Sequence, residues 1–406
     1  MSRSSCRLRA SFVCLALAAV VPATAQSPAV AITGVVYVDR NANGRRDPSE
    51  PGIAGVPVTD QRDVVLTDAE GRYRLVSTSG AGIIGLSLPD GYAAARPWRA
   101  VPAGAATFTA DFPLTAAPAP RRFTFLHASD THIAEASVAR TRRLKALTDS
   151  LQPAFVLVSG DLTRDALRVG EAEARSYFAL YVRETANITV PVWSVPGNHE
   201  NFGIERTKSG IAVTHPLYGK GMYRAYLGPT YYGFTFGGVH FLGLDTVDYD
   251  DMSYYGHVDS TQLAWIDREL ATVPAGMPVV TFNHIPFASG VLMGQGIDTN
   301  SVAPSIITVR GKALYRHVTS NADEVLKRVT ATHPLAVALG GHYHTREQVQ
   351  FEYGGRLLRF AQTSAVVGPV PFLGGMQRSG VTLYQVIDGQ VDGGTFIPLD
   401  PSPAAR

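Results

Sequence analysis

The stretch FTFLHASDTH, Phe123 to His132, is an apolar, strand-like run that ends in Asp130 and His132. Five further runs end in the same manner. Gly160-Asp161 follows AFVLVS, Gly197-Asn198-His199-Glu200 follows VPVWSVP, and Asp245 follows VHFLGL. His284 follows VVTFN, and Gly341-His342-Tyr343-His344 follows LAVALG. In an open α/β sheet the carboxyl ends of the strands converge on one crevice. His, Asp and Asn at such tips suit borderline-hard metal ions. The pattern predicts a hydrolytic centre built around two metals.

Around these tips, strand-like runs alternate with helical ones from Phe123 onward. Helices are expected over Ala134–Leu151, Gly170–Ala186 and Ser260–Ala271, the last with Ser260 as N-cap. Such alternation indicates an α/β layered domain, here assigned to residues 123–400. Residues 29–114 read differently. AITGVVYV, GVPVTD, VVLTD, GRYRLV and GIIGLSL are short strands divided by Gly, Pro, Asp and Asn, as in a small all-β sandwich. The run FPLTAAPAPRR reads as a Pro/Ala linker, centred on residues 115–122. Phe287–Leu314 lacks periodicity and follows His284 directly, so a wall or lid over the site is expected. The aromatics of Tyr218–Phe236 read as packing.

Residues 1–25 read as an export signal: Arg3, Arg7 and Arg9, then an apolar stretch from Ala10 to Val21, then Ala23-Thr24-Ala25. About a dozen apolar residues are too few to span a bilayer. Both cysteines, Cys6 and Cys14, fall inside this segment. The mature chain would then have no disulfide, thiolate metal site or cysteine nucleophile. The expected location is periplasmic or extracellular, with no membrane span in the mature chain. The formal charge of +2 falls to −1 without the three signal arginines. That balance gives no nucleic-acid signature. Arg140, Arg142, Arg143 and Lys145 read as a solvated helix face.

Asp39-Arg-Asn41-Ala-Asn43-Gly44-Arg-Arg-Asp47-Pro-Ser-Glu50 fits a twelve-residue calcium loop. Oxygen-bearing side chains fall at positions one, three, five, nine and twelve, with glycine at six for the sharp turn. Asp39, Asn41, Asn43, Asp47 and Glu50 are therefore candidate ligands for one structural calcium. The flanks read as strands, so the loop resembles those of bacterial B-type immunoglobulin-like repeats. TDAEGRYRL, Thr67 to Leu75, resembles a strand-turn-strand of carboxypeptidase-regulatory sandwiches.

Hydrolysis of a phosphate ester needs a nucleophile at neutral pH and a partner for an anionic transition state. Two ions about 3.5–4 Å apart supply both. Singly the motifs are weak, and a lone His at a strand end, such as His284, is more often structural. Their joint order is specific. D-x-H, G-D, G-N-H-E, a lone His after a strand, and G-H-x-H together resemble the calcineurin-like metallophosphoesterase superfamily from about Phe123 to Ile397. The resemblance implies a four-layer α/β/β/α sandwich. It implies two transition-metal ions, manganese, iron or zinc, and a hydroxide shared between them as nucleophile. Asp130, His132 and His344 would hold the first ion, and Asp161 would bridge. Asn198, His284 and His342 would hold the second. His199 would protonate the leaving oxygen or stabilise its charge. His127, His215, His240, His257, His317 and His333 match no motif position and read as structural or surface residues. Asp245 stands outside the ligand set.

Purple acid phosphatases of this superfamily carry a metal-bound Tyr three residues after the bridging Asp. Arg164 stands there instead, which argues against a ferric–tyrosinate centre. The compact GDL, GNHE and GHYH pattern is similar to the phosphodiesterase branch. The expected substrate is a small-molecule, lipid or polymer phosphate ester, diesters ahead of monoesters. The rival expectation is an inactive surface-binding protein that works through its β-domain. Complete ligand positions weigh against it, while surface association through that domain is compatible with an active enzyme.

Overall fold

A computed structural model describes residues 29–296, 298, 304–372 and 374–399. The export signal expected over residues 1–25 lies outside the described residues.

The first part is all β. Its strands are β1 (Val30–Val38), β2 (Pro57–Thr59), β3 (Val64–Leu66), β4 (Arg72–Ser77) and β5 (Ile83–Leu86). They continue with β6 (Tyr92–Ala93), β7 (Trp98–Ala100), β8 (Thr107–Thr109) and β9 (Phe112–Ala116). One sheet runs β4-β1-β9-β6 with β8 on β1, and the other runs β3-β2-β5-β7. Alternation drives this pairing: in β4 every second residue, Tyr73, Leu75 and Ser77, faces inward. The run read as a linker is shorter than expected. Phe112 and Leu114 are buried, and Val36–Val38 pair in parallel with Phe112–Leu114, so Phe112–Ala116 belongs to the sheet.

From Arg122 strands and helices alternate: β10 (Arg122–Ala128), α1 (Val138–Leu151), β11 (Val156–Ser159), α2 (Glu171–Thr185) and β12 (Val192–Val195). Two short helices, α3 (Arg206–Ser209) and α4 (Gly221–Leu227), lead to β13 (Tyr232–Phe236) and β14 (Val239–Leu244). A hairpin of β15 (Val247–Asp250) and β16 (Ser253–Gly256) precedes α5 (Ser260–Leu270) and β17 (Val279–Asn283). Then come α6 (Val291–Gln295), the hairpin β18 (Ile306–Val309) and β19 (Lys312–Tyr315), α7 (Ala322–Thr332) and β20 (Leu335–Gly340). The stretch after His284 thus carries regular elements. β21 (Glu347–Tyr353), β22 (Arg356–Gln362), β23 (Val370–Phe372) and β24 (Gly375–Gln377) follow. The last strands are β25 (Gly380–Ile387), β26 (Gln390–Val391) and β27 (Thr395–Pro398).

Two sheets dominate this part. The first runs β12-β11-β10-β25-β26 and the second β13-β14-β17-β20-β22-β21. Strands β10, β11 and β12 are parallel, as are β14, β17, β20 and β22. The sheets meet through aromatic side chains: Phe125 stands edge-on to Phe241 at 5.6 Å, and Phe155 edge-on to Phe241 at 5.1 Å. Helices α1 and α2 cover the first sheet through Leu144, Phe178 and Tyr181. Helices α5 and α7 cover the second through Trp265, Ile266 and Val329. The result is the α/β/β/α sandwich. The cap of α5 is Asp259, whose side chain accepts the Gln262 N–H, and Ser260 is the first helical residue.

The β-domain docks on the β13 edge. Leu88 bridges Phe234, and the Leu88 carbonyl accepts the Thr235 N–H at 2.8 Å. The Asp90 carboxylate accepts the N–H groups of Gly237 and Gly238, each at 3.0 Å. One apolar cluster runs from Ile32, Val36 and Phe112 through Phe234 to Phe125 and Phe282, so the two parts share a core.

Candidate metal centre

The parallel strands deliver their polar tips to one place. Asp130 follows β10, Asp161 follows β11, Asn198 follows β12, His284 follows β17, and His342 and His344 follow β20. Asp130, His132, Asp161, His342 and His344 all have positive φ, between 37° and 76°. Left-handed backbone costs a non-glycine residue about 1–3 kcal/mol and persists where the surroundings impose it. Here the reversed residues are among those whose ligand atoms converge.

Two groups of ligand atoms result. Asp130, His132, Asp161 and His344 bring theirs within 4.8 Å of one another, and so do Asp161, His284 and His342. Asp161 is common to both. Asn198 Oδ1 lies 3.1 Å from His284 Nε2, beside the second group. The structure therefore brings together all seven residues that the motifs mark as ligands.

The donor chemistry fits cations. His284 Nδ1 donates to the Ser159 carbonyl at 2.8 Å, which leaves Nε2 facing Asp161 Oδ2 at 3.2 Å and His342 Nδ1 at 3.1 Å. His132 Nε2 and His344 Nε2 point at each other 3.1 Å apart. Asp130 Oδ2 accepts the His342 N–H, while Oδ1 is buried 3.1 Å from His344 Nε2 without hydrogen-bond geometry. Carboxylate and imidazole atoms gathered this closely make a cage for a positive ion.

The electrostatics agree. Burial opposes charge on Asp161, but His284 and His199 outweigh it and hold the carboxyl well below its ordinary range. Burial likewise disfavours the His284 cation, yet Asp161 overrides it and pushes the imidazole up to about 9. Burial pushes His132 down to about 4. A positive charge is wanted beside Asp161, whether a proton or a metal supplies it.

His199 differs from the seven. Its Nδ1 donates to the Arg164 carbonyl at 2.7 Å, with Asp165 Oδ1 3.7 Å from the same nitrogen. Its Nε2 faces Asp161 Oδ2 at 3.9 Å, and its ring stands edge-on to His132 at 4.6 Å. Arg164 contributes its backbone here.

Three residues of the site had no assigned role in the sequence. Glu200 is buried and accepts the N–H of Thr163 at 2.8 Å and of Gly197 at 2.7 Å, tying the Asp161 loop to the Asn198 turn. Burial and then the Asp161 charge push its carboxyl up to about 7. Asp165 backs His199. His317, read as structural or surface, stacks on His342, with its Nδ1 2.7 Å from His342 Nε2. Asp245 stays outside both groups and pairs with Lys220 at 2.6 Å.

The Asp39–Glu50 loop also closes on itself. Asp39 accepts the N–H groups of Asn43 and Gly44, at 3.1 and 2.8 Å. Glu50 accepts those of Arg40 and Asp47, at 2.8 and 2.9 Å. Asn41 and Asn43 both donate side-chain N–H groups to Asp47, and Gly44 makes the sharp turn at φ 71°.

Comparison with known proteins places this geometry. Residues 123–346 match the calcineurin-like phosphoesterase family, and residues 40–116 match the N-terminal domain of calcineurin-like phosphoesterases. The chain belongs to the calcineurin-like phosphoesterases. It is a metal-dependent hydrolase of phosphoester bonds that works with two divalent ions. A dimetal phosphatase from Danio rerio aligns with 68% of this chain and 99% of its own, at 14% identity and TM-score 0.42. GAP50, the anchor in the inner membrane complex of Plasmodium, aligns with 70% of this chain and 87% of its own, at 13% identity and TM-score 0.43. No match was found among the curated proteins. Among the described residues no helix is long and apolar enough to cross a membrane.

Proposed function

We propose that the enzyme hydrolyses phosphate diesters ahead of monoesters, with Asp130, His132 and His344 on one ion, Asn198, His284 and His342 on the other, and Asp161 shared. The observation that carries this assignment is the position of Asp161, whose carboxylate belongs to both donor groups. Bound there, two ions supply an activated water and neutralise phosphoryl oxygens. The protein's own part is orientation. The Ser159 and Arg164 carbonyls set the tautomers of His284 and His199, and Glu200 locks the turn that presents Asn198.

His199 Nε2 lies 3.9 Å from Asp161 Oδ2, placed to hand a proton to the departing oxygen or to stabilise its charge. The partly exposed side chains of His132, His199 and His344 mark the face by which the ester enters. The GDL, GNHE and GHYH spacing supports the diester preference. Turnover of a chromogenic phosphate diester against the matching monoester, beside bound-metal analysis, tests the whole reading. Monoester preference would overturn the substrate order.

The basic start and short apolar stretch of residues 1–25 support export, which amino-terminal sequencing of the secreted protein would check. The Asp39–Glu50 loop supports one structural calcium, in a role separate from catalysis. Calcium added to the metal-loaded full chain should raise its melting temperature, and an unchanged value removes that role. Association of the β-domain with a cell surface is tested by pull-down on cell-wall material.

A further inference from the structure

We infer that His317 is a positioning residue for the second ion, fixing the tautomer in which His342 turns its Nδ1 toward the centre. The inference rests on the proposed assignment of His342 to that ion.

A neutral imidazole has one N–H and one lone pair, and only the lone pair serves a cation. His342 Nδ1 faces the centre, 3.1 Å from His284 Nε2. Its proton must then sit on Nε2, which lies 2.7 Å from His317 Nδ1. With His317 Nδ1 as acceptor, His342 is held in the ligating form. His317 does for His342 what the Ser159 carbonyl does for His284.

The pair is also braced. The two rings stack at 27° with centroids 4.9 Å apart. Tyr254 stands edge-on to both, at 6.3 Å from His317 and 6.2 Å from His342. The Arg316 guanidinium covers the Tyr254 ring at 5.0 Å. Replacing such an outer partner of a ligating imidazole weakens the metal by about 10–100-fold.

The test is calorimetric titration of the metal-free full chain with manganese. His317→Phe keeps a stacking ring and loses the acceptor, while His317→Asn places an amide oxygen near the Nδ1 position. His317→Phe should weaken, by about 10–100-fold, the site that His342→Ala removes, and leave the other unchanged. His317→Asn should bind close to wild type, and both metal-free variants should melt with the parent. If His342→Ala keeps both sites, the assignment of His342 fails. If His342→Ala loses a site but His317→Phe does not weaken it, only the role of His317 fails. Equal weakening by Phe and Asn also overturns that role, because the acceptor would then be irrelevant.

Discussion

Gly197 presses against Asp161 so closely that no side chain fits between them. A Cβ on Gly197 would lie 2.1 Å from Asp161 Oδ1 and 2.3 Å from its backbone nitrogen. Gly197→Ala must therefore move the shared carboxylate or the Asn198 turn. Displacement by about 1 Å costs around 100-fold in rate. We expect kcat to fall by about that factor, with metal content reduced in parallel. Full activity in Gly197→Ala would contradict the role given to Asp161.

Removing the ligands and removing the acid should leave different traces. Asp161→Ala is expected to abolish turnover and lose both ions. His199→Ala should keep both ions and slow the reaction by about 100–10,000-fold. Metal analysis alongside steady-state kinetics separates the two. Chelation of the native enzyme should silence it, and divalent metal should restore it.

Glu269 carries a pH signature far from catalysis. It is wholly buried and meets His240 and Ser87 around Gly233, where a Cβ would lie 2.4 Å from Glu269 Oε1 and 3.0 Å from each of the other two. Burial pushes its carboxyl up to about 7. The folded chain thus holds this proton more tightly than the unfolded one. Its contribution is full below about pH 4.5 and is lost as pH rises through about 7. Glu269→Gln should melt higher than the parent at pH 8, by on the order of 3 kcal/mol, with the gap closing near pH 5. Unfolding midpoints at the two pH values decide the matter.

Asp90 clasps the β-domain to the β13–β14 turn through the Gly237 and Gly238 N–H groups. Asp90→Ala leaves both donors without that acceptor, which costs about 1–3 kcal/mol. The melting temperature should fall while kcat and metal content hold. A drop in kcat at unchanged stability would show that the docking face reaches the chemistry.

The metal centre was legible because each ligand follows an apolar run, so the order of motifs along the chain already encodes strand ends, three in one sheet and two in the other, that meet at one place. The glycines were legible for partly different reasons. Gly160 makes a tight turn at φ 79°. Gly197 and Gly341 serve close approach instead: a Cβ on Gly341 would lie 1.9 Å from Ser129 Oγ. His317 reads as structural or surface in the sequence because it follows the β18–β19 hairpin and reaches His342 only through the tertiary fold. The contacts of Leu88 and Asp90 with residues 234–238 were equally hidden, since no local spacing joins segments so far apart. Asp259 lost its cap to Ser260 in the sequence because both residue types cap helices well, and only the backbone tells which one starts the turn.

The apolar cluster that passes from Ile32 through Phe234 to Phe282 makes the amino-terminal part a structural dependency of the enzyme, not an accessory. Heating should melt both parts in one cooperative event. A protease that severed residues 117–121 would leave the halves clinging together, and a catalytic half expressed alone would offer a greasy, unpaired flank to its neighbours. Residues 29–116 therefore travel with the active site as one folded body.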